Sequence, residues 1–116
     1  MDKKTFDNEI IDANQKLFIR YLEIIKHNQI PKIGQIDKDY LIKFCDLAIK
    51  KPMQSDKSSR WLGFVQGILF TLNLIDIEEE RSVSRELFHE IYNKFNIIQE
   101  TISVNHTNGQ DGDEST

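Results

Sequence analysis

Apolar residues recur every three to four positions along most of the chain, which is the spacing of one face of an α-helix. Four stretches show this pattern, namely residues 3–28, 38–50, 57–75 and 76 to 99 or 102. Asp37 or Asp39 precedes the second stretch and Asp76 precedes the fourth, where each side chain can cap a helix. The acidic run at residues 78–80 complements the positive end of the fourth helix dipole. The pattern predicts an all-α protein, a small four-helix bundle formed by residues 1–102 as a single domain.

The third stretch is the most apolar segment, because residues 61–75 contain no charged side chain. Its apolar positions cover nearly the whole circumference of a helix, which is typical of a central core helix or a membrane span. A span needs about 20 residues, so we expect a central apolar helix, about 57–75, and no membrane partner. Gly63 and Gly67 share one face of this helix. Two interpretations follow: close packing of a neighbouring helix, or a ligand lying on the glycines.

Charge is unevenly distributed along the chain, whose net charge is −4. Residues 32–60 carry seven basic and four acidic side chains, a net charge of +3, whereas residues 61–100 carry three and seven, a net charge of −4. This pattern indicates either adjacent basic and acidic surfaces or an ordinary solvated surface. A nucleic-acid-binding protein is more often basic overall. Residues 103–116 are polar and acidic without helical spacing, which predicts a disordered acidic C-terminal tail.

Few residues have the spacing that catalysis or metal binding requires. The sequence contains no nucleotide-binding motif and no CxxC motif. Its single cysteine, Cys45, fits a reducing cytoplasm and is expected to be a small core residue. Glu86 and His89 have the ExxH spacing of di-metal bundles, but such sites need a second ExxH. We therefore expect no catalytic residue, no metal and no cofactor; an enzyme whose groups meet only in the folded chain is the least favoured hypothesis.

Arg81, Arg85 and His89 recur every four residues and share one face of the fourth helix. One interpretation is an ion-pair network with Glu78 and Glu86. The other is binding of a phosphate or of an acidic partner segment.

Arg60 and Trp61 would face the same groove if the third and fourth helices form an antiparallel hairpin. A tryptophan beside arginines suits base stacking. The alternative is a core anchor whose indole N–H reaches a polar partner. The candidate binding residues are Arg60, Trp61, Gln66, Arg81, Arg85 and His89.

Residues 58–92, SSRWLGFVQGILFTLNLIDIEEERSVSRELFHEIY, resemble a signature of small helical proteins of tailed bacteriophages. Those proteins pair an RWLGF[VI]QG helix with a following helix of the pattern ERxxxR. The matching positions are Arg60, Trp61, Leu62, Gly63, Phe64, Gln66, Gly67, Glu80, Arg81 and Arg85. The resemblance implies a phage or prophage origin and a helical fold, and it implies no catalytic activity.

Two hypotheses for function come from different classes. The favoured one is a small non-enzymatic phage accessory protein that binds and modulates a host or phage protein during host takeover, in the cytoplasm of an infected bacterium. The alternative is a nucleotide- or nucleic-acid-binding module that uses an arginine/tryptophan groove. The long amphipathic first helix also favours a homodimer, because it can leave an apolar strip uncovered.

Overall fold

The computed structural model describes residues 2–51 and 53–102, without the side chains of Glu90 and residues 95–102. Within these ranges the chain forms four α-helices: α1 (Lys3–Lys26), α2 (Lys38–Lys50), α3 (Ser55–Thr71) and α4 (Ile77–Ile102). An isolated bridge between Ile33 and Ile36 is the one β-type pairing in the described part of the chain. The predicted all-α bundle is therefore confirmed. The predicted acidic tail, residues 103–116, lies outside the described residues.

Three of the helices begin at an aspartate whose carboxylate accepts a hydrogen bond from the backbone N–H three residues later. These are Asp2 for α1, Asp37 for α2 and Asp76 for α4, with N···O distances between 2.7 and 3.0 Å. A cap of this kind stabilises a helix by about 1 kcal/mol. The caps predicted at Asp37 and Asp76 are confirmed. α3 begins at Ser55, two residues before the predicted start, and its N-cap residue Gln54 makes no side-chain cap bond.

The central position, expected for the third helix, belongs to α1. α1 packs against α2, α3 and α4, whereas α3 packs mainly against α1. The reason is a wide buried stripe on α1, whose largest fully buried members are Leu17, Phe18, Tyr21 and Ile25. α3 buries one narrow stripe, formed by Ser58, Leu62, Val65 and Leu69. Its remaining apolar side chains therefore lie on the flanks or on the surface of the bundle.

The glycine face of α3 is exposed. A Cβ atom added at Gly63 or Gly67 would meet nothing within 4 Å among the described residues. Close packing of a neighbouring helix on these glycines is therefore wrong for this part of the chain. α3 ends at Thr71, and the left-handed residue Asn73, with φ of 59°, follows two positions later. The N–H of Leu74 donates to the carbonyl of Leu69 at 2.9 Å, which closes the helix end and leads into α4.

Candidate functional site

Four aromatic side chains of α2 and α3 contact one another on a partly exposed surface, and Leu47 lies on the same side of α2 by helical spacing; we call this surface the aromatic face. Its members are Tyr40, Phe44, Leu47, Trp61 and Phe64. Tyr40, Leu47 and Phe64 are 44%, 43% and 38% exposed. The apolar spacing of α2 predicts Tyr40 and Leu47 on the buried side, and this is wrong. α2 packs mainly against α1, so its fully buried stripe is narrow and leaves these two side chains uncovered.

Phe44 is the ring that connects the aromatic face. It stacks on Trp61 with ring centroids 4.2 Å apart and an interplanar angle of 25°. Tyr40 stacks on Phe44 at 6.0 Å, and Phe64 lies tilted against Phe44 at 5.1 Å. Aromatic pairs in such geometries are worth about 0.5–1.5 kcal/mol beyond their buried area. The rings therefore hold one another in place across the two helices.

Basic side chains border the aromatic face. The Lys57 ammonium lies 5.7 Å from the centroid of the Trp61 ring, within the range of a cation–π contact. Lys43 lies one helical turn from the exposed Tyr40 and Leu47. Lys43, Lys51 and Lys57 are exposed, and none of them forms an ion pair with a described side chain. The surface thus combines exposed rings with uncompensated positive charge.

A buried group of hydrogen-bonded polar side chains lies on another side of α3. We call it the Glu80 cluster; its members are Arg20, Tyr21, Gln66 and Glu80. Glu80 is only 2% exposed. It accepts from Arg20 Nη2 at 2.6 Å and from the Tyr21 hydroxyl at 2.6 Å. Gln66 Nε2 donates to the Tyr21 hydroxyl oxygen at 2.9 Å, so the cluster joins α1, α3 and α4.

The protonation states in the Glu80 cluster follow from its contacts. The hydrogen bond to Glu80 raises the pKa of the Arg20 guanidinium. Burial, and after it the hydrogen bond to Glu80, raises the pKa of the Tyr21 phenol. At neutral pH, Arg20 is therefore charged and Tyr21 is a neutral donor. Both carboxylate oxygens of Glu80 are engaged, which indicates that this acid joins helices rather than transferring protons.

The structure brings three of the predicted binding residues together. Gln66, Arg81 and Arg85 line an open depression of about 500 Å³ beside Glu80. Arg81 Nη1 lies 3.6 Å from Glu78 Oε2. Arg85 and His89 are exposed and form no ion pair with a described side chain. The ion-pair interpretation therefore holds for Arg81 with Glu78 and is wrong for the pairing with Glu86.

Arg60 and Trp61 do not share that depression, so the predicted arginine/tryptophan groove is not formed. Trp61 and Gln66 are five residues apart, which separates them by about 140° around a helix. Trp61 consequently stacks on α2, while Gln66 reaches α1. Arg60 is exposed and lies 3.7 Å from Asp56. Trp61 is a half-buried anchor, and its indole N–H makes no hydrogen bond within the described ranges.

Arg20, Tyr21 and Glu80 were not predicted as interacting residues. One signal was present: Glu80 lies on the same helical stripe as Leu87 and Ile91. A carboxylate in an apolar stripe indicates a buried partner. The partner itself is not readable from spacing, because Arg20 lies 60 positions earlier in the chain.

Cys45 is a fully buried residue of α2, as predicted. Burial raises the pKa of its thiol to about 12, which disfavours the reactive thiolate.

Among the described residues, no group of three histidine, cysteine or acidic side chains is placed to hold a metal ion. None of the helices in residues 2–51 and 53–102 is long and apolar enough to cross a membrane.

Comparison with known proteins finds no matching family model, no matching curated protein and no matching solved structure. The resemblance of residues 58–92 to tailed-bacteriophage proteins therefore stays a prediction.

Proposed function

We propose that this chain is a small non-enzymatic accessory protein that binds a host or phage protein through the aromatic face and modulates it. One observation carries the proposal: Phe44 and Trp61 stack at 4.2 Å and hold Tyr40 and Phe64 partly exposed on one surface. Contiguous exposed apolar side chains mark interaction sites on proteins. Tryptophan and tyrosine are also among the residues that dominate the binding energy of protein interfaces. The phage setting and the cytoplasmic location rest on the resemblance of residues 58–92 and on the single cysteine.

The Glu80 cluster supports a binding role over a catalytic one. It contains the single buried carboxylate in the described part of the chain, and hydrogen bonds to Arg20 and Tyr21 occupy that carboxylate. A general base must be free to reach the proton that it abstracts. The alternative, a nucleic-acid-binding module, has weaker support. Trp61 is stacked on Phe44, and the whole chain carries a net charge of −4.

Capture of the partner from a bacterial lysate, with and without nuclease, tests this proposal. The bait is the full tagged chain, compared with Phe64→Ser and with Ile19→Ser. Ile19 is a matched control because it is 50% exposed and lies on α1. We expect the wild-type bait to capture one protein in stoichiometric amount, with or without nuclease. Phe64→Ser should capture at least about tenfold less of it, and Ile19→Ser should capture as much as the wild type does. Thermal unfolding of each variant verifies that both remain folded.

Two results would contradict the proposal. Recovery that disappears after nuclease treatment would favour the nucleic-acid alternative. Equal capture by the wild type and Phe64→Ser would show that the partner binds elsewhere on the molecule.

A further inference from the structure

We infer that the partner presents an acidic amphipathic segment, whose apolar side chains contact Tyr40, Leu47 and Phe64 and whose carboxylates pair with Lys43, Lys51 and Lys57. The inference rests on the proposed function and adds the chemistry of the partner. It commits to a segment of another protein. Nucleic acid, a second copy and the chain's own tail are the competing occupants.

Lysine charges without an ion-pair partner lie beside the aromatic face. Lys4 and Lys26 of α1 also form no ion pair with a described side chain, but three other helical lysines pair with a carboxylate four residues away. Such pairs are Lys3–Asp7 at 3.0 Å, Lys16–Asp12 at 3.8 Å and Lys50–Asp46 at 2.9 Å. Lys51 and Lys57 instead have the apolar Leu47 and Trp61 at that spacing. Their charges are therefore left for a partner to neutralise.

The carboxylates nearest to the aromatic face are already engaged. Asp46 pairs with Lys50 at 2.9 Å, and Asp56 lies 3.7 Å from Arg60. Asp39 occupies the first turn of α2, where the helix dipole stabilises a negative charge. The margin of the face thus keeps a net positive charge.

The exposed apolar side chains of the aromatic face have a spacing that suits a partner helix. Tyr40 and Leu47 are seven residues apart on α2, which places them about 10 Å apart along one side of the helix. Phe64 adds a third exposed apolar group from α3. A partner helix presents apolar anchors at the same two-turn spacing. A segment of about 12–15 residues is therefore long enough to cover the face.

Three competing occupants fit less well. In a symmetric dimer through this face, the lysines of the two copies would face each other and repel. Nucleic-acid bases need free ring faces, whereas Phe44 and Trp61 are stacked on each other. The tail, residues 103–116, is acidic, but Val104 is its one large apolar residue.

Selection of peptides from a random display library on the immobilised full chain tests the inference without knowledge of the partner. Peptides of about 15 residues are long enough to cover the face. We expect the enriched sequences to be acidic and to contain at least two large apolar residues. A synthetic peptide of this type should bind at least about tenfold more weakly to Phe64→Ser and to Lys43→Glu/Lys57→Glu. The matched control is Lys4→Glu/Lys16→Glu, which makes the same charge change on α1 and should bind as the wild type does.

The remaining outcomes separate this inference from the proposed function. Neutral or basic peptides that depend on Phe64 would overturn the inference and keep the aromatic face as the binding surface. No enriched peptide, or peptides insensitive to Phe64→Ser, would overturn both. Tighter peptide binding by the full-length variant Asp111→Asn/Asp113→Asn/Glu114→Gln, by about tenfold or more, would show that the tail occupies the face, and this would overturn the inference.

Discussion

The Glu80 cluster and the aromatic face lie on two sides of α3 and reverse the usual rule of burial. In the cluster a carboxylate is 2% exposed, whereas on the face Phe64 is 38% exposed. Charged residues are rarely buried without partners, and large apolar residues usually are buried. α3 contributes to both regions, through Gln66 on one side and through Trp61 and Phe64 on the other. The contrast shows that a side chain is buried here when its side of the helix packs against another helix, whether the side chain is charged or apolar.

The two regions also differ in what they contribute. The polar groups of the Glu80 cluster form hydrogen bonds with one another. These bonds join α1, α3 and α4 and therefore stabilise the folded chain. The aromatic face leaves apolar area and lysine charge uncompensated within the chain, and under the proposed function this surface contributes free energy when a partner binds. Substitutions in the cluster should therefore change the free energy of unfolding. Substitutions on the face should mainly change binding.

Replacement of Glu80 should have the largest effect on stability. Glu80→Ala removes the acceptor of Arg20 and Tyr21, so the buried Tyr21 hydroxyl loses its acceptor and Arg20 keeps only the weaker contact with Glu79. Breaking a buried ion pair in this way costs about 3–5 kcal/mol, and we expect about 3 because Arg20 is partly exposed. Urea denaturation followed by circular dichroism measures the loss.

The matched control is Glu79→Ala, since Glu79 is the exposed neighbour whose carboxylate lies 4.0 Å from Arg20. Exposed ion pairs contribute about 0–1 kcal/mol, so this variant should unfold nearly as the wild type does. Equal losses in the two variants would contradict a specific role for the buried carboxylate.

The sequence predicts helices far better than it predicts which helix sides meet. The caps at Asp37 and Asp76 and the four helices depend on local features of the sequence, and they are confirmed. The acidic run at residues 78–80 also has a local explanation, which fits the exposed Glu78 and Glu79. That explanation does not account for Glu80, because Glu80 is bound by Arg20, which lies 60 positions away in the chain.

Trp61 shows the same limit on the aromatic face. α3 is apolar nearly all round, so its sequence leaves open which stripe packs against α1 and which faces solvent. Among the candidate binding residues, Gln66, Arg81 and Arg85 line one depression. Arg60 and Trp61 lie outside it, because their direction depends on the rotation of α3 about its axis. Helix rotation is a property of packing, and local spacing does not fix it.

Tyr21→Phe should have an intermediate effect, because it removes one hydroxyl and preserves the buried ring. The hydroxyl donates to Glu80 and accepts from Gln66, and a hydrogen bond to a charged group contributes about 1.5–3 kcal/mol. We expect a loss of about 1.5 kcal/mol at pH 7 by urea denaturation. A change below about 0.5 kcal/mol would show that the carboxylate is equally well satisfied without the phenol.

The pH dependence of the same variant gives a second measurement. The folded protein holds the pKa of Tyr21 above its ordinary value of 10.0, so the unfolded chain loses this proton first as the pH rises. The contribution is fully present below pH 10 and is lost progressively above it. The stability of the wild type should therefore fall more steeply above this pH than that of Tyr21→Phe. Parallel curves would contradict the raised pKa.

Gly63→Ala, on the exposed side of α3 next to Phe64, should have the smallest effect and the opposite sign. A glycine inside a helix costs about 0.5–1 kcal/mol relative to alanine, and the new Cβ meets no described atom within 4 Å. We therefore expect Gly63→Ala to raise the free energy of unfolding by about that amount, as measured by thermal unfolding. Gly34→Ala is the control: its site is equally open, but φ is +59°, so the same change should destabilise. If Gly63→Ala instead lowers the free energy of unfolding, and if this decrease grows with protein concentration, a second copy packs on the glycines. This side of α3 would then be the homodimer contact.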